Sequence, residues 1–133
     1  MFKAKDIMTK EVISVKKDTP IYDAVELLAK NEITGIPVVE DDMTLVGILT
    51  EKDVLRLFYA DEDEKNRTVD YFMTQPAVHF DEDESLPDVC NCLMDNPFRR
   101  VPVTSSDKLV GIISRPDFIK YILQLRRESI GIA

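Results

Sequence analysis

Apolar residues recur along this chain with the periods of helices and strands, and the same order of segments occurs twice. Residues 21–29 and 86–94 place apolar side chains at i, i+3, i+4, i+7 and i+8, which form one face of an α-helix. These positions are Ile21, Ala24, Val25, Leu28 and Ala29 in the first copy, and Leu86, Val89, Cys90, Leu93 and Met94 in the second. The pattern predicts two amphipathic helices at equivalent places.

Shorter apolar runs predict strands around each helix. The runs that precede the helices are Val12, Ile13 and Val15 in the first copy, and Ala77, Val78 and Phe80 in the second. After each helix, two apolar runs flank a polar turn, which is typical of a β-hairpin, and a last helix follows near residues 54–58 and 118–122. Each copy therefore predicts the order β-α-β-β-α.

The duplication covers most of the chain. Residues 5–43 align with 70–108, and residues 45–57 align with 109–121, with 14 identities in 52 aligned pairs. We expect one repeat in residues 1–60, a charged linker in 61–68, and a second repeat with a C-terminal helix in 69–133. Because a copy of about 60 residues is marginally stable alone, we expect the copies to pack face to face about a pseudo-two-fold axis. Two related clefts would then lie between them.

Composition narrows the classes of function. The chain has 133 residues, 44% of them hydrophobic and 32% charged, and a net charge of −8. This charge argues against non-specific binding to nucleic acid, which needs a cationic surface, but it allows one phosphate to bind at a local basic spot. No apolar run approaches the ~20 residues that span a bilayer, and the charged start lacks an apolar signal core. We therefore expect a cytoplasmic protein without membrane contact.

The residues that most often carry catalysis or bind metals are few. Cys90 and Cys92 lie two apart, without a second pair at zinc-site spacing, so we interpret them as structural thiols. His79, the only histidine, has no nucleophile or carboxylate partner implied by spacing, which favours a structural role. We expect no enzymatic activity, no metal and no required cofactor.

One motif is spelled twice, as GILTEKD at 47–53 and GIISRPD at 111–117. Thr50 and Ser114 each precede a predicted helix, where a hydroxyl is a favoured N-cap, and an acid three residues later completes a capping box. Each cap contributes roughly 1 kcal/mol. This role alone would explain why the motif is repeated.

A ligand-binding role for the same motif stays open beside it. The carboxylates of Asp53 and Asp117 could each accept two hydrogen bonds from a ribose diol, and hydrogen bonds to a charged acceptor contribute about 1.5–3 kcal/mol each. Gly47 and Gly111 would allow a base or a backbone segment to approach closely, or they could mark a bulge.

The order of these motifs resembles the CBS domain, named after cystathionine β-synthase, and a tandem pair of such domains is called a Bateman module. The order is Met-Thr, a short strand, an amphipathic helix, an h-P-V strand (h is an apolar residue), and G-h-h-[T/S]-x-x-D, over about residues 5–60 and 69–124. The resemblance implies an α/β (α+β) fold of two β-α-β-β-α repeats. It also implies a regulatory module that binds AMP, ADP, ATP or S-adenosylmethionine in its clefts, forms a homodimer and acts on a separate effector protein.

The resemblance also implies two sets of ligand-binding residues. The first set is Thr50, Lys52, Asp53, Ile36, Pro37, Ala77 and Val78. The second set is Ser114, Asp117, Val101, Pro102, Thr9, Val12, Ile13, Arg99 and Arg100. Family members often carry a hydroxyl just before the aspartate, where this chain has Lys52 and Pro116.

The adjacent arginines distinguish the second set from the first, which has Thr34 and Gly35 at the same places. Arg99 and Arg100 would either clamp a phosphate, which guanidinium groups bind in a bidentate manner, or pair on the surface with an acid such as Asp95. A clamp favours AMP, ADP or ATP over S-adenosylmethionine, and we expect Asp117 to matter more than Asp53. The alternatives left open are an S-adenosylmethionine binder and a ligand-free module for dimerisation or docking.

Overall fold

Each copy of the sequence pattern forms one three-stranded sheet in the computed structural model, which describes residues 2–131. In the order of pairing, the strands are β1 (Val15–Lys16), β2 (Gly35–Val39) and β3 (Leu45–Thr50), then β4 (Phe80–Asp81), β5 (Arg100–Ser105) and β6 (Lys108–Ser114). β1 pairs with β2 and β4 with β5 in parallel, while β2 and β3 form an antiparallel hairpin. The α+β class and the two repeats are therefore confirmed.

Seven helices accompany the sheets in the described part of the chain. They are α1 (Ala4–Ile7), α2 (Ile21–Asn31), α3 (Glu51–Leu55), α4 (Glu62–Lys65), α5 (Val69–Phe72), α6 (Leu86–Asp95) and α7 (Arg115–Ser129). A 3₁₀ turn, Arg56–Tyr59, continues α3. None of the helices in residues 2–131 has the length and apolar character needed to cross a lipid bilayer.

Two predicted strands are shorter than the apolar pattern suggests. β1 and β4 begin only at Val15 and Phe80, whose partners are Val38 and Val103. The residue before each partner is Pro37 or Pro102, which has no N–H to donate to a longer ladder. The proline of the h-P-V strand therefore limits the pairing of the first strand in each repeat.

Two details go beyond the sequence pattern. The segment 61–68, expected as the linker, contains the short helix α4, and Asp61 caps it by accepting a hydrogen bond from the Glu64 N–H at 2.9 Å. The predicted apolar faces of α2 and α6 are narrower than expected, since Ala29 and Met94 are exposed. The buried positions of these helices are Ile21, Ala24 and Leu28, and Leu86, Val89 and Leu93.

The chain divides into two compact units whose limits differ from those of the sequence copies. The Asp53 unit contains Ile13–Ala77 and Asp107–Leu109. The Asp117 unit contains Val78–Ser106, the N-terminal segment that ends at Val12, and the segment that begins at Val110. Each unit thus combines the sheet of one copy with the Met-Thr sequence of the other copy.

Each unit has a core to which both copies contribute. In the Asp53 unit, Val69 and Phe72 of α5 are buried against side chains of α2, β2 and β3, among them Ile21, Ile36 and Leu49. In the Asp117 unit, Ala4 of α1 is fully buried with residues of α6, β5 and β6, among them Val89, Val101 and Ile113. The short helices before each Met-Thr sequence are therefore core elements.

The two Met-Thr arms, Met8 with Thr9 and Met73 with Thr74, extend the sheets by one antiparallel bridge each. The Thr74 backbone exchanges hydrogen bonds with Ile48 of β3, with N···O distances of 2.8 and 2.9 Å. The Thr9 backbone makes the same pair with Ile112 of β6, again at 2.8 and 2.9 Å. Each arm is therefore fixed by backbone pairing within its unit.

Gly47 and Gly111 make room for the methionines of the arms. A Cβ atom at Gly47 would lie 2.8 Å from Met73 Sδ and 2.8 Å from the Thr74 carbonyl oxygen, and one at Gly111 would lie 2.5 Å from Met8 Sδ. Of the roles that the sequence left open, close approach of another backbone segment is thus observed. The β2–β3 ladder also shifts register between Val38 and Val39, beside Gly47.

We predict that Gly47→Ala lowers the free energy of unfolding by about 1–3 kcal/mol, because the added methyl group overpacks the contact with the arm. Gly35→Ala is the matched control, since a Cβ there meets nothing closer than 3.5 Å. Its unfolding free energy should fall by less than that of Gly47→Ala, because the added methyl group would make only ordinary van der Waals contacts. Urea denaturation measures both variants, and equal losses would contradict the assignment of Gly47 to the arm contact.

Candidate functional site

The two G-h-h-[T/S]-x-x-D motifs lie where a strand ends and a helix begins, as the sequence predicts. Thr50 ends β3 and caps α3, and Ser114 ends β6 and caps α7. Both caps form reciprocal capping boxes with the aspartate at the third helical position. The predicted capping role of both motifs is confirmed, and it fixes the backbone around each aspartate.

The Asp53 carboxylate is held by two chain segments. Its Oδ2 accepts a hydrogen bond from the Thr50 N–H at 2.9 Å, while Thr50 Oγ1 accepts one from the Asp53 N–H at 3.2 Å. The Thr74 hydroxyl lies 3.0 Å from Oδ1 and 3.1 Å from Oδ2, and donates between them. The half-buried carboxylate therefore has donors both in its own helix cap and in the arm of the other copy.

The Asp117 carboxylate has the equivalent partners and one additional donor. Its Oδ2 accepts hydrogen bonds from the Ser114 N–H at 2.8 Å and from the Ser114 hydroxyl at 2.9 Å. The Thr9 hydroxyl donates to Oδ1 over a longer distance, 3.3 Å. The Ser114 hydroxyl thus donates to the Asp117 carboxylate and also accepts from the Asp117 N–H at 3.4 Å, whereas the Thr50 hydroxyl only accepts from the Asp53 N–H.

Thr74 is a site residue that sequence reasoning missed. The resemblance assigns Thr9 to the Asp117 site, and Thr74 is its repeat partner at an offset of 65 residues. Applying the repeat symmetry to Thr9 would therefore have placed Thr74 beside Asp53.

The other residues predicted around Asp53 fall into three groups. Ile36 and Pro37 are buried on β2, next to Gly35, which pairs with Thr50. Ala77 is buried in the same unit, and Lys52 is exposed on α3. Val78 is 52% exposed and belongs to the Asp117 unit.

The residues predicted around Asp117 show the same distribution. Val101 and Pro102 are buried on β5, and Thr9 contacts the carboxylate directly. Val12 is half-buried within the Asp117 unit. Ile13 is 37% exposed and belongs to the Asp53 unit.

The two arginines lie beside the Ser114 cap. The Arg99 carbonyl accepts a hydrogen bond from the Arg115 N–H at 3.1 Å, and Arg100 begins β5 at the position that Gly35 has on β2. Within residues 2–131 neither arginine forms an ion pair, so the alternative pairing with Asp95 is not observed. Arg100 Nε is buried and finds no hydrogen-bond acceptor in the described chain.

Arg115 has a different role from Arg99 and Arg100. Its guanidinium donates to the carbonyl oxygens of Leu93 at 3.1 Å and Asn96 at 3.2 Å, at the C-terminal end of α6. A cation at this end satisfies free carbonyl groups and favours the helix dipole. The Arg115 side chain therefore stabilises the C-terminal end of α6.

Both carboxylates keep the capacity to accept further hydrogen bonds. An ionised aspartate has about four acceptor positions. The Thr50 N–H and the Thr74 hydroxyl use part of this capacity at Asp53, and three donors use part of it at Asp117. Each aspartate can therefore accept hydroxyl donors from a ligand such as a sugar.

The cysteines and the histidine lie outside these two constellations. Cys90 and Cys92 are free thiols on α6, and burial raises the pKa of the Cys92 thiol. His79 is exposed in the segment before β4. Over residues 2–131, no three His, Cys, Asp or Glu side chains are grouped so that they could hold a metal ion.

Solved structures of other proteins share this fold. A structure of CBSX2 in complex with AMP superposes with a TM-score of 0.83 and 32% identity, covering 96% of this chain and all of that one. The CBS domain pair of protein MJ0100, in complex with 5-methylthioadenosine and S-adenosyl-L-methionine, gives a TM-score of 0.75 and 26% identity, covering 93% of this chain and 98% of that one.

Sequence comparison gives the same relationship. Protein MJ1225 of Methanocaldococcus jannaschii is 36% identical over 118 residues, which cover 89% of this chain and 42% of that protein. The chloroplastic CBSX2 of Arabidopsis thaliana is 31% identical over an alignment of 143 positions with gaps, which covers 86% of this chain and 60% of that protein. The chain thus spans about two fifths to three fifths of the length of these relatives. The family model of the CBS domain matches residues 4–60 and again 69–124, and the chain therefore belongs to the CBS domain family as a tandem pair.

Proposed function

We propose that this chain is a regulatory module that binds an adenine nucleotide (AMP, ADP or ATP) at Asp53, at Asp117 or at both. Binding would change its shape or association and so report the level of the nucleotide to a separate effector protein. In this proposal the module senses a metabolite and catalyses no reaction. The cytoplasm, which contains free adenine nucleotides, is the proposed location.

The observation that carries the proposal is the pair of aspartate constellations. Each carboxylate accepts hydrogen bonds from its own helix cap and from an arm threonine, and it retains acceptor positions. A vicinal ribose diol supplies two hydroxyl donors at the spacing of two carboxylate oxygens. Buried apolar strand residues next to each cap, Ile36 and Pro37 or Val101 and Pro102, offer a surface for the base.

The bound molecules of the relatives support the same ligand class. CBSX2 binds AMP, and the MJ0100 pair binds 5-methylthioadenosine and S-adenosyl-L-methionine. All three molecules contain an adenine joined to a ribose ring, so these two groups are their common recognition elements. Extending this likeness to the present chain makes adenosine the core of the proposed ligand.

The arginine pair favours a phosphate-containing ligand within that class. Arg99 is exposed and without an ion pair in the described chain, and Arg100 has a buried Nε without an acceptor. A phosphate group would give both guanidinium groups a bidentate partner. We therefore favour AMP, ADP or ATP as the ligand. S-adenosylmethionine is the second candidate, because the MJ0100 pair binds it.

We predict that Asp117→Ala reduces the affinity for AMP more than Asp53→Ala does, because only the Asp117 constellation lies beside two arginines. Removing an acceptor of two ribose hydroxyls should weaken the affected site at least ~10-fold, since hydrogen bonds to charged groups contribute about 1.5–3 kcal/mol each. Isothermal titration calorimetry of each variant and of the wild type gives the affinities. Specific AMP binding that depends on neither aspartate would contradict the proposed site.

A second prediction separates phosphate ligands from S-adenosylmethionine. The double substitution Arg99→Ala with Arg100→Ala should weaken AMP binding by about 10-fold or more, the loss expected for charge-assisted hydrogen bonds. The affinity for adenosine, which has no phosphate, should change less than about 2-fold. Calorimetry with both ligands measures the difference, and an unchanged affinity for AMP would exclude the arginine clamp.

We further propose that the chain forms a homodimer. None of the residues of α7, all of which the structure describes, is buried. The large exposed apolar side chains of this helix are Ile119, Ile122, Leu123 and Leu125. Helices of globular proteins gain most of their stability from tertiary contacts of an apolar face. We therefore propose that the exposed apolar face of α7 packs against a second copy of the chain.

Light scattering during size-exclusion chromatography tests the homodimer. We predict a mass of two chains for the wild type and of one chain for Ile122→Lys, because a charge at the apolar face opposes burial. Gln124→Lys introduces the same charge at an exposed polar position of the same helix and should keep the mass of two chains. A wild type that stays at the mass of one chain over the micromolar range would refute the dimer.

If the chain only dimerises or docks and binds no ligand, the expected calorimetric result is different. A module for dimerisation or docking alone would show the mass of two chains but no heat of binding with AMP, ADP, ATP or S-adenosylmethionine. It would also bind its effector equally with and without nucleotide.

A further inference from the structure

Four residues that are identical in both sequence copies meet in one constellation in each unit. In the Asp53 unit these residues are Met73, Thr74, Gly47 and Asp53, and in the Asp117 unit they are Met8, Thr9, Gly111 and Asp117. The aspartate and the glycine belong to one copy, and the methionine and the threonine belong to the other. The capping box accounts for the aspartate, and the close approach of the arm accounts for the glycine and the methionine, so the threonine is left to be explained.

We infer that Thr74 and Thr9 are positioning residues that orient the ligand-binding carboxylates of Asp53 and Asp117. The inference rests on the proposed function, because it assigns the carboxylates to a ligand. In it, the arm threonine touches the aspartate rather than the ligand. It supplies the second of two fixed donors that set the plane of the carboxylate.

The geometry at Asp53 shows why two donors are needed. The Thr50 N–H contacts only Oδ2, so by itself it leaves the carboxylate free to turn about the bond to its Cβ. The Thr74 hydroxyl lies almost equally far from both oxygens, at 3.0 and 3.1 Å, on the edge of the carboxylate between them. These two contacts together fix the plane and leave acceptor positions on both oxygens for a diol.

The position of the Thr74 hydroxyl is in turn set by the sheet. The Thr74 backbone pairs with Ile48 through two hydrogen bonds, and Met73 fills the space that Gly47 leaves open. The arm cannot shift along β3 without breaking these backbone bonds. The hydroxyl therefore meets the carboxylate from a rigid support, which lowers the cost of ordering the site when a ligand binds.

The hydrogen bond from Thr9 to Asp117 is longer than the hydrogen bonds from Thr74 to Asp53. Its hydroxyl is 3.3 Å from Oδ1, and the Ser114 hydroxyl already supplies a further donor to Oδ2 at 2.9 Å. Loss of the Thr9 hydroxyl should therefore disturb Asp117 less than loss of the Thr74 hydroxyl disturbs Asp53.

The test uses three substitutions at two threonines of the full chain. Thr74→Val removes the hydroxyl and keeps the shape of the side chain, and Thr74→Ser keeps the hydroxyl. Thr68→Val is the matched control, because it also removes a threonine hydroxyl that is bonded to an aspartate, and this aspartate, Asp70, belongs to neither constellation.

The first readout needs no ligand. Amide hydrogen exchange of the Thr50 N–H, followed by NMR, reports whether Asp53 Oδ2 stays in place to accept its bond. We expect Thr74→Val to speed this exchange about 10-fold, a loss typical of a hydrogen bond to a charged group. The Ile48 amide, which donates to the Thr74 carbonyl, should keep its rate within about 2-fold, as should both amides in Thr74→Ser and Thr68→Val.

The second readout is the affinity for AMP, measured by calorimetry in the Asp117→Ala background so that only the Asp53 site is titrated. We expect Thr74→Val to weaken binding about 10-fold and Thr74→Ser and Thr68→Val to stay within about 2-fold of the background. Thr9→Val in the Asp53→Ala background should cost less than Thr74→Val does.

Each outcome decides one of the two proposals. An unchanged exchange rate of the Thr50 amide in Thr74→Val would overturn the positioning role. Equal acceleration at the Thr50 and Ile48 amides would also overturn it, because the Thr74 hydroxyl would then hold the arm in place and not the carboxylate. AMP affinity that is equal in Thr74→Val and its background would overturn it as well. Absence of AMP binding in the unmodified chain would instead count against the proposed function, and the exchange rates would still decide whether Thr74 orients Asp53.

Discussion

Each half of this molecule depends on one carboxylate that accepts hydrogen bonds from two segments far apart in the sequence. Asp53 joins the cap of α3 to the Met73 and Thr74 arm, and Asp117 joins the cap of α7 to the Met8 and Thr9 arm. The aspartate thus closes a helix terminus and at the same time contacts the arm of the other copy. A ligand that binds this carboxylate would act directly on the contact that joins the two sequence copies within a unit.

The sequence predicted the fold well where periodicity and capping chemistry decide the structure. The helices at 21–31 and 86–95, the hairpins, and the caps at Thr50 and Ser114 follow from local patterns that no distant contact overrides. The first strands were predicted too long, because Pro37 and Pro102 lie on a different strand and their missing N–H groups act only through pairing. The short helix after Asp61 was missed because a charged run without apolar period gives no sign of a four-residue helix.

The candidate site could be predicted only in part, for a related reason. Its helical side belongs to one continuous motif, whereas its second side comes from an arm whose contacts are set by backbone pairing across the duplication. Thr74 has no local signal, and only its equivalence to Thr9 indicates its role. Gly47 and Gly111 were also ambiguous, since a missing side chain does not say which neighbour occupies the space, and the occupants are Met73 and Met8.

The exchange of arms has a consequence for how such a chain can be divided. A fragment cut at the sequence repeat, after residue 60, would hold the β1–β3 sheet without α5 and Thr74, and would carry the arm of Thr9 with no sheet to receive it. In two molecules of a single-repeat chain, each sheet could pair with an arm only if each molecule supplied its arm to the sheet of the other. The duplication therefore joins in one polypeptide what separate copies would have to build as an intertwined pair, so that the arm and its sheet meet at a fixed ratio and independently of protein concentration.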